Sequence, residues 1–456
     1  MQKRFFAALF CMAAYAAMAQ PRLPQNHFWQ KLDNGLEVVV IENHKVPLAT
    51  IEIAVKNGAY TEGPEYSGLS HLFEHMFFKA NRDYPTQEKF LKRTQELGAI
   101  WNGTTGEERV NYYFTFDRDS LEAGLNFMNA AVRYPIYREE DMQKERPVVD
   151  GEFQRAESNP SFLLYHEIGQ KLWGDLFTRK NPIGDHNIIN TATPEKMMII
   201  KDKYYVPNNS MLVICGDVKP DQAFALAKKI YGDWKPAAED PQVKYPIPDF
   251  KPIAKTEYLI KESSIAQNPQ MMFMWQGPDF RNDSVATIAA DVFSKILSLN
   301  SSKWQQALID KGLASGADFS YQTSRYVGPA GIYVMPIPSK MKECYQEVMN
   351  QVSHLGDADY FTDAELAKAK EGLKRQQIRQ SEKPSRLASQ LTFYWTSTSL
   401  DYYTDYYKAM DKITKADIQA YLNKYIVGKP YIAGLIINSA MNSQYKPAEY
   451  FKTQNL

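Results

Sequence analysis

The spacing of apolar residues along the first half of the chain predicts interleaved strands and helices. In TIEIAV at 50–55, the large apolar residues at 51, 53 and 55 alternate with Glu52 and Ala54, which is typical of a half-buried strand. Asn34-Gly35 lies between two β-rich runs and predicts a hairpin. The same patterns predict helices over 67–79, 86–97, 119–132, 139–157 and 193–204, and a strand over 210–218. Antiparallel strand signals with helices grouped around them favour an α+β fold over a doubly wound parallel sheet.

A proline-rich stretch separates the chain into two halves. The segment PAAEDPQVKYPIPDFKP at 236–252 contains five prolines and has no helical or strand period, so we interpret it as an extended linker. We therefore predict an N-terminal domain over 20–235, a linker over 236–253 and a C-terminal domain over 254–456.

The two halves also resemble each other. TPEKMMIIKDKYYV at 193–206 aligns without gaps on TKADIQAYLNKYIV at 414–427, and DMQKERPVVDGEFQRAESNPS from 141 aligns on ELAKAKEGLKRQQIRQSEKPS from 365. The two alignments have offsets of 221 and 224 residues, which favours duplication over chance. We expect two homologous domains, each a mostly antiparallel sheet packed with helices. The residue types that bind metals lie in the first half and have no counterpart in the second.

The chain begins with the pattern of a secretory signal peptide. A basic pair at 3–4 precedes an apolar run, and Ala17-Met18-Ala19 supplies a small-x-small cleavage site. The apolar run is short for a bilayer span, so a membrane anchor is the weaker alternative. We predict that residues 1–19 are removed and that the mature protein is exported, either to a periplasm or to the medium, with no membrane span.

Charge and cysteine content exclude several classes of protein. The formal net charge is +0, so no basic field favours nucleic acid as a partner. After removal of the signal, Cys215 and Cys344 remain, which is too few for a disulfide scaffold in a chain of this length. The sequence leaves open whether they are free thiols or form one bridge.

Residues 67–78, SGLSHLFEHMFF, combine an apolar helical face with two histidines. The apolar face is formed by Leu69, Leu72, Phe73 and Met76. The other stripe presents His71 and His75 one turn apart, with Glu74 beside them. Imidazoles at i and i+4 can bind one zinc ion, and a neighbouring carboxylate can act as general base on a water that attacks a carbonyl. The alternative is an ordinary amphipathic helix that includes two of the seven histidines.

A catalytic zinc site needs a third protein ligand. The other histidines are scattered singly, so a carboxylate is the better source. In KERPVVDGEFQRAE, Glu145 and Glu152 are seven residues apart and would share a face of a continuous helix. A solvated acidic face is the other interpretation, and these residues alone do not select Glu152 among many carboxylates.

Several blocks of sequence together indicate a family. The order H-x-x-E-H is typical of inverzincins. Further blocks lie before and after this motif: LDNGLEVVVIENHKVP, LGAIWNGTTGEERVNYYF, ERPVVDGE and YYVPNNSMLVICGDV. With these blocks the chain resembles the pitrilysin and insulysin family of zinc metallopeptidases over most of its mature length. It is most similar to the short two-domain branch, which includes bacterial processing-protease-like peptidases and the mitochondrial processing peptidase β subunit.

The resemblance implies a role for each matching residue. His71 and His75 match the histidine ligands of one zinc ion per chain, and Glu152 matches the carboxylate ligand. Glu74 matches the general base. Glu145 matches a second glutamate that supports the site from behind a ligand.

Two further features concern the helix of the third ligand and the binding of substrate. Pro147 departs from the family pattern and would bend a helix, which makes the relative facing of Glu145 and Glu152 uncertain from sequence. Asn102 and Thr105 match an edge-strand region in which family members bind the backbone of a peptide substrate. Without the resemblance, Asn102 and the glycine after it are only a turn signal.

The second half departs from the family at two positions. Active members carry an arginine and a tyrosine, seven apart, that stabilise the oxyanion. The matching block here is LIDKGLAS, with Leu308 and Ser315 at those positions. Arg325 and Tyr326 lie nearby in sequence, but adjacent residues on a strand would point to opposite sides.

These observations predict an exported zinc metalloendopeptidase that hydrolyses peptides or unfolded segments. Because the arginine and tyrosine are missing, we expect it to be the zinc-bearing subunit of a heterodimer with a homologous subunit that carries them, or else a homodimer. The alternative is a structural or binding subunit without peptidase activity, related to the core proteins of respiratory complexes.

Overall fold

The computed structural model describes residue 21 and residues 23–380 and 382–452, so the predicted signal at 1–19 lies outside the described residues. The strands are His27–Lys31 (β1), Glu37–Glu42 (β2), Leu48–Val55 (β3), Ile100–Thr105 (β4), Val110–Asp117 (β5), Ser210–Gly216 (β6), Glu257–Glu262 (β7), Gln270–Gln276 (β8), Ala314–Tyr321 (β9), Pro329–Pro336 (β10) and Ile432–Ile437 (β11).

The α-helices are Leu69–Phe77 (α1), Gln87–Glu96 (α2), Leu121–Arg133 (α3), Glu139–Glu157 (α4), Pro160–Trp173 (α5), His186–Asn190 (α6), Pro194–Tyr204 (α7), Pro220–Tyr231 (α8), Pro241–Lys244 (α9), Ser284–Leu297 (α10), Lys303–Gln305 (α11), Met341–His354 (α12), Asp363–Gln380 (α13), Pro384–Ser397 (α14), Leu400–Lys412 (α15), Lys415–Tyr425 (α16) and Ser439–Tyr445 (α17). Each helix predicted in the first half is present, with ends that differ from the prediction by no more than two residues.

The two halves of the chain form two sheets with the same topology. The first sheet has the order β1-β2-β6-β3-β5-β4, and the second has the order β7-β11-β8-β10-β9. In the first, β2 and β6 are parallel and all other pairs are antiparallel; in the second, β7 and β11 are the parallel pair. The second sheet therefore repeats the first without β1, which confirms the predicted α+β fold with two homologous domains.

Helices from the aligned segments also occupy equivalent places. The segment from 141 lies in α4 and its counterpart from 365 lies in α13. In the other aligned pair, the hydroxyl of Thr193 caps α7 and that of Thr414 caps α16. A threonine oxygen that accepts a backbone N–H at this position satisfies one of the free donors of the first helical turn. The identities between the halves thus mark the beginnings of corresponding helices.

Each half places one helix on the sheet of the other. Leu164 and Ile168 of α5 lie against Gly434 in β11, where an added Cβ would be 2.6 Å from Leu164 Cδ1. In the same way, Leu391 of α14 packs in one cluster with Ala54 of β3. Because both helices bury apolar side chains across the division of the chain, the halves share two of the molecule's hydrophobic clusters.

This exchange of helices overturns one prediction about strand β3. The alternating pattern predicted a half-buried strand, but every residue of β3 after Leu48 is buried because α14 covers the second face. Glu52 on that face accepts a hydrogen bond from Asn111 Nδ2 at 3.1 Å and one from Thr392 of α14. Burial raises the pKa of Glu52 to about 7, although Arg109 lies nearby.

The region of the predicted linker contains a single helical turn, α9. Gln242 in this turn accepts a hydrogen bond from the Tyr60 hydroxyl at 2.8 Å and donates to Lys56 O at 3.1 Å, so the segment is tied to the first half. The boundaries of the two domains and the linker at 236–253 stay a prediction.

Cys215 and Cys344 are both buried free thiols, so they do not form a bridge. None of the helices in the described part of the chain is long and apolar enough to cross a membrane.

Candidate active site

The start of helix α1 is held by a buried carboxylate. Glu62 accepts backbone hydrogen bonds from Gly68 at 2.8 Å and from Ser70 at 2.6 Å, which satisfies free N–H groups of the first turn. Gly68 has a left-handed φ of 85° and packs on Gly184, whose Cα would lie 2.7 Å from a Cβ added at Gly68. These contacts determine where α1 begins and hence which way its polar stripe points.

Three potential metal donors converge between α1 and α4. Nε2 of His71 lies 3.5 Å from Oε2 of Glu152, and Nε2 of His75 lies 3.7 Å from the same oxygen. Donors on a tetrahedral zinc at about 2.0–2.1 Å are separated by about 3.3 Å, so a small closure would place all three in contact with one ion. The donor set and its spacing fit zinc, and among the described residues no other group of histidines, cysteines and carboxylates meets the same geometry.

Glu145 supports one of these donors from behind. Its Oε1 lies 2.8 Å from Nδ1 of His75, which keeps the proton on Nδ1 and leaves Nε2 free to bind a metal. Lys79 pairs with the other oxygen of Glu145. The bend expected at Pro147 does not turn the two glutamates apart: α4 is continuous from Glu139 to Glu157, and both carboxylates face α1.

The two histidines differ in electrostatic environment. Burial, and secondarily the neighbouring His75, lowers the pKa of His71 to about 4. Burial also disfavours protonation of His75, but its hydrogen bond with Glu145 and the nearby carboxylates outweigh this, so the pKa of His75 is raised. The opposite holds for Glu145: burial raises its pKa, but the contacts with His75 and Lys79 outweigh burial and lower it. His71 is therefore neutral and able to bind a cation throughout the physiological range.

Glu74 lies between the donors and strand β4. The Thr105 hydroxyl donates a hydrogen bond of 2.7 Å to Oε2 of Glu74. Gly103 provides the space for this side chain, because a Cβ at that position would lie 2.7 Å from Oε1 of Glu74. Burial raises the pKa of Glu74 despite the hydrogen bond from Thr105. A general base works best when its pKa is near the pH of the reaction, so a raised pKa makes this carboxylate better suited to that role at neutral pH.

The strand that bounds the site is the free edge of the first sheet. Among the described strands, β4 pairs only with β5, so its outer backbone groups are available to another chain. Asn102 is exposed on this strand and lines a cleft of about 460 Å³ together with the donors and Glu74. Asn102 and Gly103 are thus part of a strand and not of the turn that the dipeptide alone indicates. The hydroxyl of Thr105, which the resemblance matches to substrate binding, is hydrogen-bonded to Glu74.

We expect Gly103→Ala to lower peptide turnover by about 10–100-fold while zinc content stays unchanged, because the new Cβ displaces the Glu74 carboxylate and leaves the donors in place. Steady-state kinetics with metal analysis checks this result. Gly106→Ala is the matched control, since a Cβ there meets nothing closer than 3.8 Å. Equal loss in both variants would mean that the strand itself is disturbed.

The positions matched to the missing arginine and tyrosine do not contribute donors to the site. Leu308 is fully buried in the core of the second half, and Ser315 is exposed on β9 with its hydroxyl 3.3 Å from Met335 O. Arg325 and Tyr326 lie in the loop between β9 and β10, so the expectation of a strand was wrong. Their backbone N–H groups donate to the Glu108 carboxylate of the first half.

Three supporting residues, Glu62, Lys79 and Gly103, were missed by sequence reasoning. The only local signal among them is Lys79, which stands one turn after His75 and thus on the same helical stripe. Glu62 and Gly103 act through contacts with other elements, which spacing along the chain does not show.

The fold and the site define a two-domain protein with a zinc-type donor set beside a free strand edge. Family profiles agree: the insulinase domain of peptidase family M16 matches residues 37–176, and the M16 inactive domain matches residues 191–373. The chain belongs to peptidase family M16, the insulinase family, and the resemblance drawn from its sequence blocks is confirmed.

Individual relatives support the same assignment. The chain is 25% identical to zinc protease PqqE of Helicobacter pylori over 416 residues, which covers 89% of this chain and 91% of that protein. A crystal structure of a protease from Helicobacter pylori shares the fold with a TM-score of 0.82 at 23% identity, covering 91% of this chain and 100% of the other.

The periplasmic protease PqqL of Escherichia coli is about twice as long. It matches 95% of this chain and 51% of its own, with a TM-score of 0.73 and 17% identity. Several other curated relatives, most of them named zinc proteases or insulin-degrading enzymes, are matched over only 21–52% of their own length.

Proposed function

We propose that this protein is an exported zinc endopeptidase that hydrolyses peptides or unfolded segments. The observation that carries the proposal is the placement of His71, His75, Glu152 and Glu74 in one cleft beside a free strand edge. An extended peptide can pair with β4 and so bring its scissile bond to the donors. Most extended backbone of a folded domain is already paired within its own sheets, so peptides and unfolded segments are the better substrates.

Different residues of the chain have different roles in the proposed reaction. When bound, zinc supplies Lewis acidity, which polarises a carbonyl and makes water more acidic. His71, His75 and Glu152 would hold it, and Glu145 orients His75. Glu74 takes the proton of the attacking water on Oε1 and returns it to the leaving amine, while Thr105 holds Oε2.

Active relatives carry an arginine and a tyrosine that stabilise the oxyanion, and neither of the two matching positions in this chain has a suitable side chain. Leu308 has no hydrogen-bond donor and is enclosed in the core, and the Ser315 side chain is short and engaged with Met335 O. One preorganised donor typically contributes about 10²–10³-fold to acyl-transfer rates. We therefore infer that a homologous subunit with arginine and tyrosine supplies this function in a heterodimer, with a homodimer as the alternative.

A reconstitution experiment tests both parts of this proposal. The zinc-loaded chain is assayed with an internally quenched peptide, alone and together with a homologous subunit that lacks H-x-x-E-H but has the arginine and tyrosine. We expect cleavage by the mixture to exceed that by the isolated chain by about 10²-fold or more. High activity of the chain alone, unchanged by the partner, would refute the subunit role. Zinc binding without cleavage in either preparation would favour the non-peptidase alternative.

We also propose that the protein acts outside the cytoplasm. The proposal depends on the signal pattern at residues 1–19, and PqqL of Escherichia coli, with the same fold, is described as a periplasmic protease.

A further inference from the structure

The second half contains a cavity at the place that corresponds to the zinc-type site of the first half. Helix α10 follows β8 as α1 follows β3. It packs against the edge strand β9 and the long helix α13, as α1 packs against β4 and α4. Residues of α10, β9 and α13 line a cavity of about 370 Å³, with α14 and α15 on its remaining sides.

The side chains in this cavity stand at the positions of the metal site but have different chemistry. Asp291, Ser294 and Lys295 of α10 line the cavity with the same i, i+3, i+4 spacing as the H-x-x-E-H residues. Gln376 of α13 lies 224 residues after Glu152, which is the offset of the repeated segment, and lines the cavity too. A carboxylate, an ammonium group and an amide do not form a zinc donor set, so the duplicated position has a cavity but lacks the metal-binding side chains.

Asp291 is a carboxylate without a cationic partner. Its Oδ2 accepts a hydrogen bond of 2.7 Å from the Tyr406 hydroxyl, and among the described residues its Oδ1 has no bond and no cation lies within salt-bridge distance. Burial raises the pKa of Asp291 to about 7, which the bond from Tyr406 only partly offsets. Asp291 is partly exposed to the cavity, so a ligand there that brings a positive charge can pair with its carboxylate.

Lys295 gives the same cavity a positive group. It is half-buried, and no acid of the described residues lies within 4.0 Å of its ammonium, Asp291 included. Oε1 of Gln390, on another wall of the cavity, is a buried acceptor without a partner among the described residues. The cavity thus offers one group of each charge and an acceptor for an N–H group.

A second cleft leads into this cavity. It has a volume of about 500 Å³, shares Asp291, Tyr321 and Tyr394 with the cavity, and is also lined by Tyr165 of the first half. A ligand can therefore arrive from the region between the two halves. The tyrosines offer aromatic faces to an apolar side chain or to a cationic group.

We propose that the cavity of the second half binds a short peptide as a zwitterion, with its amino terminus against Asp291 and its carboxylate against Lys295. Residues at i and i+4 of a helix have Cβ atoms about 5–6 Å apart, and an extended dipeptide spans at most about 7 Å. A dipeptide is therefore long enough to reach from the position of Asp291 to that of Lys295, one helical turn further on. Its N–H can donate to Gln390 Oε1. This proposal does not depend on the proposed peptidase activity.

Calorimetric titration with phenylalanyl-alanine and its two capped forms tests this site. The N-acetyl form lacks the ammonium group and the amide form lacks the carboxylate. The titrations use the full chain with Glu74→Gln, in which hydrolysis is expected to be strongly reduced, so that binding is measured without appreciable turnover. We expect saturable binding of the free dipeptide and binding weaker by about 10–100-fold for each capped form.

Two variants locate the binding in this cavity. Asp291→Asn keeps an oxygen for the Tyr406 hydroxyl and should weaken binding of the free dipeptide about as much as N-acetylation does. Lys295→Met should do the same as amidation. Asp310→Asn, an exposed change in the same half, is the control and should bind like the parent. The proposal is wrong if the parent shows no saturable binding, if capping has no effect, or if both variants bind as the parent does. Circular dichroism checks that each variant is folded.

Discussion

Replacing Glu74 by glutamine is expected to reduce peptide hydrolysis by about 10²–10⁴-fold while leaving zinc content unchanged. Glutamine keeps the shape of the side chain and can still accept the hydrogen bond from Thr105, but it cannot take a proton from water. The three metal donors lie on His71, His75 and Glu152, so their ability to bind zinc does not require the Glu74 carboxylate. The measurement is kcat/KM on a quenched peptide together with metal analysis, in whichever preparation cleaves peptide, the isolated chain or the heterodimer.

Glu88→Gln provides a matched control for this result. Glu88 lies exposed on α2, and the same loss of one carboxylate there should leave both rate and zinc content unchanged. Retained hydrolysis in Glu74→Gln would assign the base to another residue. Loss of zinc in that variant would instead make Glu74 a ligand.

Replacing Lys180 by methionine is expected to destabilise the protein by about 3–5 kcal/mol. Lys180 Nζ lies 2.9 Å from Oε2 of Glu107, and the two side chains are only 2% and 8% exposed. The same ammonium donates to Tyr326 O in the second half at 3.4 Å. Methionine fills a similar volume but leaves a buried carboxylate without its partner. Urea denaturation followed by tryptophan fluorescence measures the change.

Two companion variants separate burial from charge. Lys171→Met removes an ion pair of the same length, with Glu257, whose side chains are 42% and 37% exposed, and should cost no more than about 1 kcal/mol. Adding Glu107→Gln to Lys180→Met should restore most of the lost stability, because the unpaired charge is then removed as well. If Lys180→Met is no less stable than Lys171→Met, leaving the Glu107 carboxylate unpaired does not carry the predicted cost.

Much of the local structure around the site could be predicted from sequence because it depends on residues close together in the chain. The apolar stripe of α1 and the acidic segment of α4 each carry a helical period. Pro147 did not end α4, although a proline inside a helix removes one backbone hydrogen bond. Helix α4 tolerates that loss because it also packs against α1, α5 and α6. Packing contacts with other helices cannot be recognised from the pattern of residue types along α4.

Other features could not be predicted because their partners are distant in sequence. The polar residues of β3 indicated a solvent-facing side, but Thr392 and Arg109 place Glu52 in a buried polar cluster under α14. The sequence predicts a strand around Arg325, whereas this residue lies in a loop and its backbone N–H donates to Glu108, more than 200 residues earlier. In each case a contact with the other half of the chain determines the environment of the residue. Such a contact cannot be predicted from the sequence around that residue.

The sequence by itself determined that His71, Glu74 and His75 share one helical stripe, because a period of 3.6 residues places i, i+3 and i+4 together. It also determined the duplication, through two aligned segments with similar offsets. Only the tertiary structure decided that Glu152 and not another carboxylate meets the two histidines. It alone placed Gly103 where a base needs room and brought Asp291 and Lys295 into a second cavity. Each of these contacts joins residues that are far apart in sequence. They depend on how helices pack on other helices and on strands, which the local pattern of residues does not specify.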